Sequence, residues 1–390
     1  MLFIERKEEQ RKRWGKINIE MEKLGADALL VSSKVNNFYV AGRIFMGYSL
    51  IMKNGRVIFF VRRPLDAEGE EVVYIKKPAD MVAYLNDNDI MPKKILFEDD
   101  KMSVNDFRRL QKMFLGVEFS GGGSVLSYCR SIKTPYEMEL IKISGDIHSK
   151  TYSAVPEFFK EGMTDRQLSL LVENRMRENG SIGVSRIAGD TMEIHVCTVL
   201  VGNNADAYSP YDFATTGGGV DSSFPVGYNG TKIKQGMSIM VDGCANKHGY
   251  LSDMTRVFAV GELSDLALHA YATSVAIYHE MVKMIEVGTK CSDIYNKAFD
   301  MAKEAGLSEY FMGHKQQAGF VGHGVGIELN EAPVIAPRSR SIVEMGMVMA
   351  LEPKFVIPEV GVMGMENTVA LTEKGVIVLT EGDYQLKQLL

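Results

Sequence analysis

Two stretches of the chain alternate strand-length apolar runs with isolated acids, and both follow one plan. Residues 236–258 read GMSIMVDGCANKHGYLSDMTRVF and place Asp242 and Asp253 at the ends of otherwise apolar runs. Residues 346–371 read GMVMALEPKFVIPEVGVMGMENTVAL, with Glu352 six residues after Gly346 just as Asp242 lies six after Gly236, and Glu366 as the second acid beyond a turn. Apolar runs of this length bounded by glycine predict strands, so each stretch predicts a hairpin. Carboxylates seldom occupy such places without a partner.

The same patterning divides the rest of the chain. Residues 8–23 predict a charged helix with apolar positions at Trp14, Ile17, Ile19 and Met21, stopped by Gly25. A strand over 28–32 follows, then strands over 49–53 and 57–61 flanking Asn54-Gly55, a strong hairpin signal. Strands over 72–75 and 94–97 and a helix over 104–114 complete a small α/β domain. After the polar, glycine-rich run Ser120-Gly-Gly-Gly-Ser124, a boundary near 125–130 separates domains of residues 1–127 and 128–390.

The second domain predicts an internal duplication. Its first half has a long helix from Tyr136 to Gly162, a capping box Thr164-Asp-Arg-Gln167 and a helix closing at Asn179-Gly180. Its second half has a helix over 266–287 and another from Ser292-Asp293 to Gly306. Each helix pair precedes one acid-bearing hairpin, so the strands predict one antiparallel sheet with helices outside and the acids on its inner, concave face.

Composition narrows the class. A chain of 390 residues with 46% hydrophobic and 24% charged content reads as a soluble globular enzyme of two or three domains. A net charge of -6 and the lack of a basic stripe argue against nucleic acid and anionic membranes as partners. The opening MLFIERKEEQ brings in charge at once, and no apolar run approaches the ~20 residues of a membrane span, so the chain reads as cytoplasmic. Cys129, Cys197, Cys244 and Cys291 lie far apart without CxxC spacing and read as buried free thiols.

The duplicated acids then carry the chemistry. Cross-strand neighbours in a hairpin stand ~4.5–5.5 Å apart at Cβ, close enough for a carboxylate from each strand to hold a common ion. Asp242 with Asp253, and Glu352 with Glu366, qualify if all point inward. His323, in Phe320-Val-Gly-His323-Gly-Val-Gly326, reads by itself as a loop histidine bonded to a carbonyl, and beside four acids as a fifth ligand. The glycines around it lack the strand-turn-helix setting of a dinucleotide loop. Hard, oxygen-rich donors of this kind suit Mn, Fe, Co or Zn in a paired site, whose usual chemistry is hydrolysis of an amide-like bond.

The segments Val241-Asp242-Gly243, Ser252-Asp253-Met-Thr-Arg256, Gly322-His323-Gly324-Val-Gly326, Leu351-Glu352-Pro353 and Met365-Glu366-Asn367 resemble those of the pita-bread metallopeptidase family, which includes methionine aminopeptidase, aminopeptidase P, prolidase and the metal-free creatinase. The resemblance extends to the opening, where residues 21–31 and Asn37-Phe-Tyr39 are similar to the amino-terminal domain of prolidase and creatinase, and to Arg130-Ser-Ile-Lys133 at the entry to the second domain. It implies an α+β chain: a pita-bread fold with internal duplication, preceded by a smaller α/β creatinase-like domain. It also implies two divalent metal ions, with Asp242 on one, Asp253 and Glu366 bridging both, and His323 with Glu352 on the other. Glu352 would also handle the proton of a bridging hydroxide that attacks the scissile carbonyl of a short peptide. A homodimer follows from the same likeness.

Three departures from the family pattern bear on substrate. Asn330 stands where family peptidases carry a histidine seven residues beyond the ligand, Gly319 where the proline-specific branch has one four residues before it, and Tyr208 or Ser209 where a third lies upstream. Tyr208 and Asn330 can donate hydrogen bonds, as those imidazoles do, but cannot carry protons near neutrality. His195 and His314 read as ordinary surface or core residues. The leading expectation is a hydrolase resembling Xaa-Pro dipeptidase or aminopeptidase. The alternatives are a metal-dependent hydrolase or lyase of a small non-peptide amide or amidine, and a catalytically silent metal-binding homologue.

Overall fold

The structure, a computed structural model, describes residues 7–189 and 193–389. The first six residues of the opening run therefore lie outside the described residues. The chain divides into two compact units, one up to Arg130 and one from Ser131.

The first unit opens with α1 (Lys7–Lys23), β1 (Ala28–Val31), α2 (Lys34–Ala41), β2 (Met46–Met52), β3 (Val57–Arg63) and β4 (Val72–Tyr74). It continues through α3 (Ala79–Asp87), β5 (Lys94–Phe97), α4 (Val104–Met113), β6 (Glu118–Gly121) and α5 (Gly123–Ser131). The strands form one mixed sheet in the order β4-β3-β2-β1-β5-β6, over a core that includes Leu30, Leu50, Ile58, Phe60 and Ile95. The Asn54-Gly55 turn joins β2 and β3 as expected, with Gly55 at φ 85. Helix α2 was not legible in the apolar pattern. It is set by a Ser33 N-cap, whose hydroxyl accepts from the Asn36 N–H, and by buried Glu98, which accepts from the backbone N–H groups of Ser32 and Ser33 and from the Asn36 amide.

The second unit begins with α6 (Pro135–Ser153), α7 (Val155–Phe158), α8 (Asp165–Glu178) and β7 (Cys197–Val201), then the hairpin of β8 (Met237–Lys247) and β9 (Tyr250–Val260). Its second half has α9 (Asp265–Met284), α10 (Cys291–Glu304), β10 (Gly322–Gly324), β11 (Glu331–Ile335), β12 (Val348–Leu351), β13 (Lys354–Ile357), β14 (Gly361–Gly364), β15 (Glu366–Thr372), β16 (Gly375–Val378) and β17 (Lys387–Gln388). The expected single helix from Tyr136 to Gly162 is instead two, because Pro156 has no N–H for a continuing α ladder and Ala154 ends α6. The Thr164–Gln167 capping box forms with both reciprocal bonds.

Seven strands make the spine of the sheet, β11-β10-β12-β15-β9-β8-β7, with β16 on β15 and β17 on β9. The two halves of the duplication meet where β9 pairs with β15. In the second half the expected hairpin carries an insertion. β12 and β15 pair directly, and the chain between them leaves the sheet as a separate ribbon of β13 and β14. All four cysteines are buried free thiols. Among the described residues no helix is long and apolar enough to cross a membrane.

Helix α6 lies across β8 and β9, where the Ser144 hydroxyl donates to the Tyr250 carbonyl at 2.8 Å and the Tyr152 hydroxyl to that of Met254 at 2.9 Å. Between them Gly145 passes so close to the chain after β16 that a Cβ there would stand 2.0 Å from the Leu379 carbonyl oxygen. Helix propensity by itself favours alanine over glycine by about 1 kcal/mol, and overpacking of this kind costs about 1–3 kcal/mol. Gly145→Ala is therefore expected to lower the melting midpoint by a few degrees; a rise in a thermal scan would show that the Leu379 segment yields freely.

Candidate metal centre

Strand register brings the acids together. In the β8–β9 hairpin Asp242 lies opposite Thr255, and on the other side of β9 Glu366 lies opposite the same Thr255. Cross-strand partners and residues two apart on one strand share a face, so Asp242, Asp253 and Glu366 project to one side. Leu351 pairs with Asn367, which sets Glu352 level with Glu366, and His323 pairs with Ala350, two residues before Glu352. All five expected ligands thus stand on one face of the sheet. The expected direct pairing of Asp242 with Asp253 does not occur: Asp253 is opposite Cys244, and the two aspartates are diagonal neighbours because a two-residue turn at His248-Gly249 sets the register.

Asp253, His323 and Glu366 bring ligand atoms within 4.8 Å of one another, all buried. His323 Nδ1 lies 3.1 Å from the Gly324 carbonyl oxygen, which can only accept, so the proton sits on Nδ1 and the Nε2 lone pair faces the acids. Nε2 is 3.6 Å from Asp253 Oδ2 and 3.5 Å from Glu352 Oε1. Glu366 is divided between its oxygens. Oε2 accepts from the Thr255 hydroxyl at 2.6 Å, whereas Oε1 is buried with no hydrogen-bond partner. A buried carboxylate oxygen left in this state is the donor a cation would satisfy, so Asp253, His323 and Glu366 fit one ion, with Glu352 Oε1 beside His323.

The other side of the cluster holds a group that reading the sequence missed. Lys354, at the start of β13, is 1% exposed, and its ammonium donates to Glu352 Oε2 at 2.9 Å, Glu366 Oε2 at 3.0 Å and Asp242 Oδ2 at 3.1 Å. The signal was present in Leu351-Glu352-Pro353-Lys354: a lysine inside an apolar strand run is almost never fully buried unless paired.

Burial dominates the titration of these groups. It raises Glu366 from 4.5 to about 7, an effect the Lys354 ammonium opposes and the Glu352 and Asp242 carboxylates reinforce. Burial likewise raises Asp253, with Glu366 and Asp242 adding to it, and raises Glu352 against the pull of Lys354. For Lys354 burial disfavours the charge, but the surrounding carboxylates outweigh it and hold the ammonium protonated. Burial lowers His323, keeping it a neutral imidazole.

A cavity of about 50 Å³ opens on the cluster, lined by the five expected ligands together with His195, Phe213, Phe320 and Asn330. That is room for a few water-sized groups at the ~10–15 Å³ each needs. Asn330 therefore lines the cavity, held at φ 60 in the left-handed region that asparagine tolerates. Tyr208 does not: it is 73% exposed and outside the cavity wall, because the turn after β7 directs it outward. Gly319 donates its N–H to Asp212, and His314 bonds Asp206 at 2.9 Å, also away from the cavity. His195, expected in an ordinary role, faces the cavity instead. Its ring stacks on Tyr228 at 4.9 Å and meets Phe224 edge-on, and burial lowers its pKa against a bond to the Val226 backbone. No local pattern marks it, since the cavity wall forms only when the segment before β7 folds against residues 224–228.

Comparison with known proteins places these features in a family. Residues 139–373 match the model of metallopeptidase family M24, and residues 13–132 match that of the creatinase/prolidase N-terminal domain. An Xaa-Pro dipeptidase of Pyrococcus furiosus is 25% identical over 94% of this chain and 97% of its own, and an uncharacterized peptidase of Staphylococcus epidermidis is 28% identical over 91% and 95%. Among solved structures, an Xaa-Pro dipeptidase from Bacillus anthracis superposes with a TM-score of 0.81 at 24% identity, covering 97% of this chain and 99% of that one. The expected architecture, a creatinase-like domain followed by a pita-bread domain, is borne out.

The Glu366 shift predicts a pH signature in chelated protein. A carboxylate raised on folding adds stability below its ordinary 4.5, and that stability is lost as pH rises to about 7. The buried imidazoles of His148 and His323 are shifted down and run the opposite way, so subtraction of a variant isolates the effect. With chelator present, Glu366→Gln and the wild type should melt together near pH 4.5, and the variant should become progressively the more stable toward pH 7.5. Parallel melting curves across that range would refute the assignment.

Proposed function

The chain belongs to metallopeptidase family M24, and from that premise we propose that it hydrolyses the amide bond of a short peptide in the manner of an Xaa-Pro dipeptidase. One observation carries the reading: Glu366 Oε1, buried and without a hydrogen-bond partner, converges with Asp253 and His323 at the floor of a small cavity. The likeness to Xaa-Pro dipeptidases over nearly the whole chain supports the peptide class. A cytoplasmic homodimer belongs to the same reading, on family likeness.

Asp253, His323, Glu352 and Glu366 would hold a divalent ion, of which manganese, cobalt, iron and zinc all suit the donors. When bound, such an ion supplies Lewis-acid polarisation of a carbonyl and an acidified water. The protein does the rest. Glu352, its pKa raised by burial, takes up a proton from the attacking water and returns it to the leaving amine. The Asn330 amide donates a hydrogen bond toward the substrate carbonyl, and the neutral His195 imidazole, braced on Tyr228, faces the same space. Phe213 and Phe320 give the wall an apolar part.

A panel of Xaa-Pro dipeptides and longer Xaa-Pro peptides tests this on protein loaded with manganese or cobalt. Dipeptide cleavage is expected, and Asp253→Ala is expected to abolish it. Asn330→His should raise peptide turnover, because histidine also tolerates the left-handed backbone there. A metal-loaded sample that turns over no peptide in the panel would exclude the reading.

A further inference from the structure

Lys354 divides the carboxylate cluster in two. We propose that its ammonium is a permanent, covalently tethered cation filling the Asp242 side of the centre, so that this chain holds one divalent ion where the sequence implies two. The inference rests on the preceding reading that Asp253, His323, Glu352 and Glu366 bind a metal.

A lysine ammonium has three N–H donors, and here three oxygens from three carboxylates accept them: Glu352 Oε2, Glu366 Oε2 and Asp242 Oδ2, at 2.9, 3.0 and 3.1 Å. The cage is complete. Each shared carboxylate is split accordingly. Glu366 gives Oε2 to Lys354 and Thr255 and leaves Oε1 without a partner, while Glu352 gives Oε2 to Lys354 and turns Oε1 toward His323 Nε2. One set of oxygens is satisfied by the protein itself; the other awaits a ligand.

A second ion would need the satisfied set. Oxygen ligands of first-row metals lie at ~2.0–2.2 Å, so an ion bound by Asp242 Oδ2 and Glu366 Oε2 would have to expel the ammonium. The fold gives the ammonium no easy exit. Lys354 is 1% exposed, and its backbone is paired in the ribbon opposite Gly364, where a Cβ would stand 2.8 Å from Lys354 Cα and 3.1 Å from its Cγ. The glycine makes room for the lysine stem at the point where it turns into the cluster. With every donor engaged, Lys354 acts as a positioning residue that fixes the acids.

Metal content decides the matter. Protein loaded with manganese or cobalt and desalted should carry one equivalent per chain by native mass spectrometry and elemental analysis. Lys354→Gly, and Lys354→Met as a variant that keeps the stem, should each rise to two. Two equivalents in the wild type would overturn the inference, and this count needs no variant to fold. One equivalent in both folded variants would overturn it as well. The two readings fail separately: two equivalents with Xaa-Pro cleavage removes the tethered cation and keeps the peptidase, whereas a change from one to two without cleavage keeps the tethered cation and removes the peptidase. No metal in the wild type removes both.

Discussion

Three buried carboxylates and the partly exposed Asp242 crowd one face of a sheet and repel one another, so the fold can hold them only if counter-charge is fixed among them. Lys354 is that counter-charge. Its three hydrogen bonds reach both halves of the duplicated domain, to Asp242 from the first and to Glu352 and Glu366 from the second. At the seam it spans, β9 and β15 pair through two residue positions, and the Thr368 hydroxyl bonds both the N–H and the carbonyl of Asp253. Arg256 closes the same seam from behind, donating to the carbonyls of Thr255 and Glu366 and to the Asn367 side chain. One buried lysine and one buried arginine thus add charged ties to strands that Thr255, Thr368 and Ser238 also join.

The inserted ribbon follows from this requirement. A simple hairpin joining β12 to β15 would bring Glu352 and Glu366 level, as the pairing of Leu351 with Asn367 does, but would supply no cation. By leaving the sheet after Glu352, the chain starts β13 with Lys354 directly beneath the cluster and returns through Gly364 in time to place Glu366. The first half of the duplication has no such ribbon; β8 and β9 run eleven residues each through a tight turn. The asymmetry between the halves is therefore functional in its location: it lies where the charge balance of the centre is set.

Sequence made the cluster of Asp242, Asp253, His323, Glu352 and Glu366 legible because each is a charged or imidazole side chain set in an apolar or glycine-rich run, where solvation cannot be its reason for being there. It made the register legible as well, though the signal was passed over. A two-residue turn at His248-Gly249, both at positive φ, fixes which residues face each other across β8 and β9, and from it Asp242 falls opposite Thr255. What sequence could not show was tertiary. His195 reaches the cavity through stacking on Tyr228, thirty-three positions away, and Tyr208 leaves it because of a turn, neither of which has a local signature. Helix α2 was missed for a different reason: Val, Asn, Phe and Tyr are weak helix formers, and its stability comes from the Ser33 cap and the buried Glu98.

A tethered ammonium and a metal ion answer the same electrostatic need with different chemistry. The ammonium brings directional donors and a single charge, cannot be exchanged, and offers no vacant orbital to a substrate carbonyl. An ion brings two charges and Lewis acidity but must be acquired from solution. Dividing the oxygens of Glu352 and Glu366 between the two lets one face of each carboxylate be fixed by Lys354 and Thr255 before any ion arrives, with His323 already oriented through Nδ1. Ligands held in this way lose little freedom on binding, which is the physical content of preorganisation. The proposed centre would therefore separate two tasks that a pair of ions would share: Lys354 keeps the acids in place, and the oxygens outside its reach, Glu366 Oε1 and Glu352 Oε1, would take the ion.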